Sequence, residues 1–195
     1  MSNISNMQTT TTLPTYLFAT VERQQLSSVL SKMKEVAYVN WFGSTSGRFD
    51  VVATFKGNDM QKTDEAIRAI RSITGVISTD AMVPFEGQSN PHANDQRAMG
   101  QVFLSVDRPT QEVIQSLKNI AGVTEALAIS GQWEIPTGES YRIRSSQQWH
   151  PWEVLVTVRG QNYEEILAKA VTEISQVSGV RNSETTFVYK PTVAA

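Results

Sequence analysis

The feature that most constrains the fold of this chain is an internal repeat. The stretch DVVATFKG, residues 50–57, and the stretch EVLVTVRG, residues 153–160, share the same succession of acidic, apolar, Thr, basic and Gly positions. Three further pairs occur in the same order along the chain: LFATV (17–21) with VFLSV (102–106), KEVAYV (34–39) with KNIAGV (118–123), and SITGV (72–76) with QVSGV (176–180). Ordered matches of this kind indicate that one supersecondary unit occurs twice.

The spacing between the copies changes along the chain and locates an insertion. Matched residues lie 84 apart before the hairpin of the middle strands and 103 apart after it, so the second copy has 103 − 84 = 19 additional residues. These fall at 132–150. The spacing rises once more, from 103 to 104, and Gln161 is the predicted extra residue.

Each copy predicts the element order β-α-β-β-α-β, which is the ferredoxin-like unit. Apolar residues spaced i, i+3, i+4 and i+7 mark the helices, and Asn58 and Asn162 are predicted N-caps. The predicted fold class is therefore α+β, with two tandem units of antiparallel sheet. The predicted segments are a flexible tail (1–14), the first domain (15–86), a linker (87–100) and the second domain (101–191) with its hairpin insertion (132–150).

The strands favour a paired arrangement of the two sheets. A sheet with one solvated face alternates apolar and polar residues, whereas DVVATF and EVLVTV hardly alternate. Both faces of each sheet are then covered, one by helices and the other by the second copy. The sequence thus predicts a pseudo-dimer within one chain.

Composition excludes several classes of function. The net charge of −2 gives no reason to expect a nucleic-acid partner, and the absence of Cys excludes disulfides and thiolate metal sites. No apolar stretch approaches the roughly 18 residues of a membrane span, and the N-terminus does not resemble a secretory signal. We expect a cytoplasmic protein with no membrane partner.

Each copy resembles the effector-binding (RAM) domain of the Lrp/AsnC transcriptional regulators. The resemblance rests on the apolar first strand, on TSGRFDVVATF with Gly47 and Asp50, and on the closing strand GVISTDAMV. The helix-turn-helix of that family is not found here, since 14 residues before the first domain are too few for it. The resemblance implies a non-enzymatic module that binds a small, amino-acid-like effector and forms homo-oligomers.

The resemblance also implies ligand-binding residues in the first copy. Gly47 and Asp50 match the family's Gly-x-x-Asp turn, and Thr79 matches a hydroxyl position of the last strand. A carboxylate beside a Gly backbone and a hydroxyl suits a ligand that carries an ammonium group. As an acid in an exposed turn, Asp50 is expected to contribute less than about 1 kcal/mol to stability without a ligand.

The second copy departs from the family pattern at its turn. Ser183 and Thr185 match the hydroxyl positions, and Glu153 occupies the place of Asp50. His150, however, replaces the glycine. Glu153, Ser183 and Thr185 are therefore candidate ligand-binding residues of an altered site.

The insertion is rich in residues that favour contact surfaces. It carries Trp133, Tyr141, Trp149, Arg142 and Arg144. A structural ribbon, an oligomer contact and a ligand lid all fit this composition.

The search for catalytic chemistry is negative. His92 and His150 are far apart in sequence, and no phosphate loop, nucleophile elbow or dinucleotide fingerprint occurs, so no catalytic residue, metal or cofactor is predicted. The alternative is a dimeric α/β-barrel enzyme, an oxygenase or isomerase with a pocket between sheet and helices. Its candidate reactive groups are His150, Tyr141 and Arg142.

Overall fold

Both halves of the chain contain the same elements in the same order. The computed structural model describes residues 13–57, 59–89, 97–134 and 152–193. The first half consists of β1 (Tyr16–Val21), α1 (Leu26–Met33), β2 (Val39–Thr45), β3 (Val51–Phe55), α2 (Met60–Arg71) and β4 (Val76–Ser89). The second consists of β5 (Ala98–Val106), α3 (Thr110–Leu117), β6 (Val123–Glu134), β7 (Val154–Gly160), α4 (Tyr163–Lys169) and β8 (Val180–Val193).

The strands form one closed antiparallel barrel in the order β1-β3-β2-β8-β5-β7-β6-β4. The first half contributes β4-β1-β3-β2 and the second β8-β5-β7-β6, so both halves have the same internal order. The predicted α+β class with antiparallel sheets is confirmed. The sheets are also joined edge to edge, through β2–β8 and β4–β6. Closure gives every edge strand a partner, which local sequence patterns do not reveal.

Three apolar clusters follow from the alternation of side chains across the strands. One cluster packs the first sheet against α1 and α2, and a second packs the other sheet against α3 and α4. The third contains residues of both halves, among them Phe18, Phe103, Leu127 and Leu155, and therefore lies in the barrel interior. Both faces of each sheet are covered, as the non-alternating strands predict.

One of the two N-caps predicted for the second helix of each half is confirmed. The side chain of Asn162 accepts a hydrogen bond from the Glu165 N–H at 2.9 Å, which confirms this N-cap. In the first half the cap is Asp59, which accepts from the Lys62 N–H, rather than Asn58, which lies outside the described residues.

The extra residue of the second half lies in a helix and not at Gln161. The caps Asp59 and Asn162 are still 103 residues apart, so the spacing increases only after them. A π-helical turn follows α4 at Ala170–Ile174, and the Ser175 N–H bonds the Ala170 carbonyl at 3.0 Å. Such a turn accommodates one added residue without breaking the helix.

The strands extend into the predicted linker. β4 continues to Ser89 because its end pairs with β6, where Ser89 lies opposite Glu125, and β5 already begins at Ala98. In the predicted tail, Leu13 packs against the barrel interior. None of the described helices has the length and apolar character needed to cross a membrane.

Candidate functional site

The predicted effector turn of the first half completes a β-bulge of the first strand. Gly47 has a φ of 89°, in the left-handed region that favours glycine. The Asp50 carboxylate accepts a hydrogen bond from the Val21 N–H at 2.8 Å, where the register of β1 shifts against β4. Asp50 thus satisfies a backbone donor that the β-bulge would otherwise leave unpaired.

Glu153 has the same structural role in the second half. Its carboxylate accepts from the Val106 N–H at 2.7 Å, where the register of β5 shifts against β8. The backbone agrees too, because the Asp50 N–H bonds the Ala19 carbonyl and the Glu153 N–H bonds the Leu104 carbonyl, each at 2.9 Å.

Replacing either acid by alanine is expected to destabilise the chain without any ligand. Asp50→Ala and Glu153→Ala each leave a strand N–H without its acceptor, which costs about 1–3 kcal/mol. This exceeds the small effect expected for a solvated turn acid. Urea unfolding of both variants, with Asp64→Ala on the exposed face of α2 as the control, measures the difference. Equal midpoints for Asp50→Ala and the control would remove the structural role.

The predicted hydroxyl residues lie on the helix-facing or exposed side of the sheet. Thr79 is opposite Ala19 and accepts a hydrogen bond from Arg71 on α2 at 3.0 Å. Thr185 is half-buried opposite Val102, and Ser183 is exposed opposite Leu104. In the first half, β1 separates Asp50 on the β3 side from Thr79 on β4. The structure therefore distributes the six predicted residues around the fold and does not gather them at one point.

A different set of polar residues meets inside the barrel. Along or across the strands, they lie on the same face as residues of the interior apolar cluster. Gln101, for example, lies two residues from both Met99 and Phe103 on β5. All are buried, from 0% exposure for Gln101 to 7% for Ser89. The interior polar cluster consists of Tyr16, Thr54, Ser89, Gln101, Glu125, Thr157 and Thr186.

Three hydroxyls converge on the carboxylate of Glu125. The hydroxyl of Tyr16 and that of Thr157 donate to Oε2, the latter at 2.7 Å. The hydroxyl of Ser89 donates to Oε1 at 2.6 Å. A carboxylate has about four acceptor positions, so one position on Oε1 has no partner among the described residues.

Burial keeps the phenol of Tyr16 protonated. Desolvation, and next the charge of Glu125, raise the pKa of Tyr16 well above its usual value of 10.0. Arg159, half-buried on β7 next to the cluster, lowers that pKa by a smaller amount. At neutral pH the phenol of Tyr16 is therefore a neutral hydrogen-bond donor to Glu125.

The raised pKa predicts a loss of stability in alkaline solution. The folded state holds the Tyr16 proton more tightly than the unfolded state, so its contribution is complete below pH 10 and is lost as pH rises toward the folded pKa. Above pH 10 the unfolding free energy of wild type should fall with pH more steeply than that of Tyr16→Phe. The two slopes should differ by about 1.4 kcal/mol per pH unit. Tyr163→Phe, which removes another phenol whose pKa burial raises, is the comparison in urea titrations. Parallel curves for wild type and Tyr16→Phe would contradict the assignment.

Other members of the cluster have no hydrogen-bond partner among the described residues. These atoms are the hydroxyls of Thr54 and Thr186 and both ends of the Gln101 amide. A buried polar group without a partner is costly, and native structures retain few of them. These atoms are therefore the places in the described barrel interior where further hydrogen bonds can form.

Sequence analysis missed Tyr16 and Glu125 because each lies in a strand that otherwise looks like core. Glu125 interrupts the apolar strand VTEALAI, and the equivalent residue of the first copy is Trp41. Tyr16 is in the first copy, and its equivalent in the second copy is Gln101. A lone acid in a strand covered on both faces is the signal that was available. Of the hydroxyls beside it, that of Thr157 comes from the neighbouring strand of the same half, whereas those of Ser89 and Tyr16 reach it only when the barrel closes.

Several predicted groups fall outside the described residues. These are His92, Tyr141, Arg142 and His150, together with most of the insertion 132–150. Within the described part of the chain, no three His, Asp or Glu side chains group in a way that could hold a metal ion.

Comparison with known proteins shows similarity of fold. No family model and no curated protein matches the chain. A siroheme decarboxylase, NirDL, solved with an iron-uroporphyrin III analogue, matches with a TM-score of 0.66 and 12% identity over 94% of this chain and 73% of that one. An anthrone oxidase-like protein matches with a TM-score of 0.52 and 9% identity over 93% of this chain and 92% of that one.

These neighbours overturn the predicted function. The expectation of a non-enzymatic Lrp/AsnC-type effector module is wrong, because the solved structures that match this fold include a siroheme decarboxylase and an anthrone oxidase-like protein. They agree better with the alternative, a dimeric α/β-barrel enzyme. The buried carboxylate lies inside the barrel, however, and not between sheet and helices.

Proposed function

We propose that this chain is an enzyme of the dimeric α/β-barrel type that transfers a proton on a small, uncharged aromatic substrate. The observation that carries the proposal is the buried pair of Tyr16 and Glu125, in which the carboxylate keeps one open acceptor position on Oε1. In this proposal Glu125 is the general base and Tyr16 the hydrogen-bond donor. A buried carboxylate with fixed donors and an open position is suited to general base catalysis.

In this proposal the hydroxyls of Tyr16 and Thr157 have separate tasks. Tyr16 and Thr157 fix Oε2, which leaves Oε1 to accept a proton from a carbon acid and to return it later. The 3.3 Å contact between the Tyr16 and Thr157 hydroxyls gives the phenol a second partner while its bond to Glu125 changes. Tyr16 has one proton to donate, and when its bond to Oε2 breaks, the neutral phenol can donate instead to a substrate oxygen on which negative charge develops.

The surroundings of the pair favour an uncharged aromatic substrate. Trp41 meets the ring of Tyr16 edge to face with the centroids 6.2 Å apart, and Phe18 lies parallel to it at the same distance. A substrate anion next to the Glu125 carboxylate would be repelled in this buried setting. The anthrone named for one fold neighbour is an aromatic ketone with an acidic methylene group, and it serves as the first probe.

Three narrower features belong to the same proposal. The common strand order and the matched bonds of Asp50 and Glu153 support an origin by duplication, and each half keeps its likeness to the Lrp/AsnC effector-domain fold.

We propose pairing of whole chains through the exposed Leu167 and Val171 of the last helix, which light scattering can test. A cytoplasmic location is proposed from the absence of cysteine.

The test is hydrogen exchange on carbon. Anthrone is incubated with the chain in D₂O, and mass spectrometry follows deuterium at the methylene carbon. The expected result is exchange faster than in buffer, slowed in both Tyr16→Phe and Glu125→Gln and unchanged in Tyr163→Phe.

A second probe distinguishes the substrate classes. Iron-uroporphyrin III is incubated in parallel, and loss of carbon dioxide is measured. Decarboxylation without any exchange on anthrone would overturn the aromatic carbon-acid proposal in favour of a tetrapyrrole carboxylate.

A further inference from the structure

We infer that Gln101 and Thr186 form a recognition subsite for a neutral group of the substrate that both donates and accepts hydrogen bonds. The inference rests on the proposed function only in assigning this group to the same substrate. Gln101 lies on β5 between two threonines of neighbouring strands, opposite Thr157 on β7 and Thr186 on β8. Its side chain is 0% exposed.

Both ends of the Gln101 amide are free to bind a ligand group. Neither Nε2 nor Oε1 has a partner among the described residues, although an amide can donate two hydrogen bonds and accept two. Thr157, the neighbour on one side, donates its hydroxyl to Glu125. Thr186, on the other side, has an unpaired hydroxyl and adds a further donor and acceptor.

The repeat shows that this position is the counterpart of Tyr16. Tyr16 and Gln101 lie 85 residues apart, the same spacing as LFATV and VFLSV. The two equivalent positions of the barrel therefore carry different chemistry, a phenol bonded to a carboxylate in one half and an unpaired amide in the other. One half is equipped for proton transfer and the other for recognition.

The residues of the subsite determine which ligand group fits. Gln101 and Thr186 are uncharged, and Glu125 lies two strands from Gln101 beyond Thr157. A carboxylate can only accept hydrogen bonds, so in the subsite it could not donate to the oxygens of Gln101 and Thr186. The carboxylate of Glu125 would also repel it. Gly47 lies against Thr186, since a Cβ on Gly47 would be 3.5 Å from the Thr186 hydroxyl, so the turn borders the subsite. A carboxamide, or a hydroxyl beside a carbonyl, matches this set.

The experiment compares Gln101→Met with wild type in two measurements. The first is urea unfolding without ligand, with Gln115→Met on the exposed face of α3 as the matched control. Because the amide has no partner among the described residues, the midpoint of Gln101→Met should equal or exceed that of wild type. A midpoint well below both wild type and control would show that the amide is already satisfied and would overturn the inference.

The second measurement is binding of three probes of similar size by calorimetry: benzamide, benzoate and toluene. Wild type should bind benzamide about tenfold more tightly than the other two, and Gln101→Met should lose this preference. Thr186→Val keeps the shape of the side chain and should leave the fold unchanged, but it should reduce the preference for benzamide. A benzamide preference that persists in both variants, or none in wild type, would overturn the subsite. Neither the unfolding nor the binding measurement depends on turnover. If Tyr16→Phe and Glu125→Gln left the exchange rates unchanged, the proposed reaction would be refuted, and the unfolding and binding results would still decide the subsite.

Discussion

Glu125→Gln is expected to slow the exchange of the anthrone methylene protons about 10²–10⁴-fold, the usual contribution of a positioned general base. The amide cannot take up a proton at neutral pH. Its oxygen can still accept from Tyr16 and Thr157, and its NH₂ group can donate to the Ser89 hydroxyl, so the barrel should remain folded. The loss should therefore appear in kcat, with little change in the unfolding midpoint.

A matched acid on the surface separates catalysis from a general effect of charge. Glu112→Gln alters the exposed first turn of α3 and removes the same negative charge far from the interior polar cluster. Its exchange rate should equal that of wild type. Equal rates for Glu125→Gln and Glu112→Gln would show that Glu125 is not the base.

The largest loss of stability is expected for Phe103→Ala, at about 3–5 kcal/mol. Phe103 is 1% exposed and lies in the barrel interior, where its ring centroid is 5.0 Å from that of Phe18 and 6.0 Å from those of Phe49 and Trp152. Its removal leaves a cavity between the two halves, in addition to the lost aromatic contacts.

Phe85→Ala is the control for this substitution because Phe85, on β4, is 62% exposed. It should change the unfolding free energy by less than about 0.5 kcal/mol. Urea unfolding followed by circular dichroism compares the two variants. A loss below 1 kcal/mol for Phe103→Ala, on the order of a surface change, would contradict a barrel interior shared by both halves.

The repeat made much of the architecture predictable. Helix periodicity and the Asn162 cap gave the element order, and the structure has that cap. Barrel closure was not predictable in the same way. Pairing of β4 with β6 joins residues such as Ser89 and Glu125 that share no local pattern, and only the covered faces of the strands hinted at it.

The site was less accessible to sequence analysis than the fold. Asp50 and Glu153 looked like ligand-binding acids, yet their carboxylates complete two equivalent β-bulges, one in each half of the chain. Tyr16 and Glu125 each occur once in the repeat, and their contact joins residues 109 apart. Positions at which the two copies differ were therefore better guides to chemistry than positions at which they agree.

The central claim is that the substrate reaches the interior of the barrel at Tyr16, and carbon NMR of the tyrosines tests it most directly. The five tyrosines are labelled with ¹³C at Cζ in the Glu125→Gln variant, and Tyr16 and Tyr163 are assigned by their Phe substitutions. Tyr163 is the internal reference because its ring packs beside Phe187 on the helix side of the sheet. Addition of anthrone should shift the Tyr16 resonance and leave that of Tyr163 in place. A shift of Tyr163 with Tyr16 unmoved would place the ligand between sheet and helices and contradict the account.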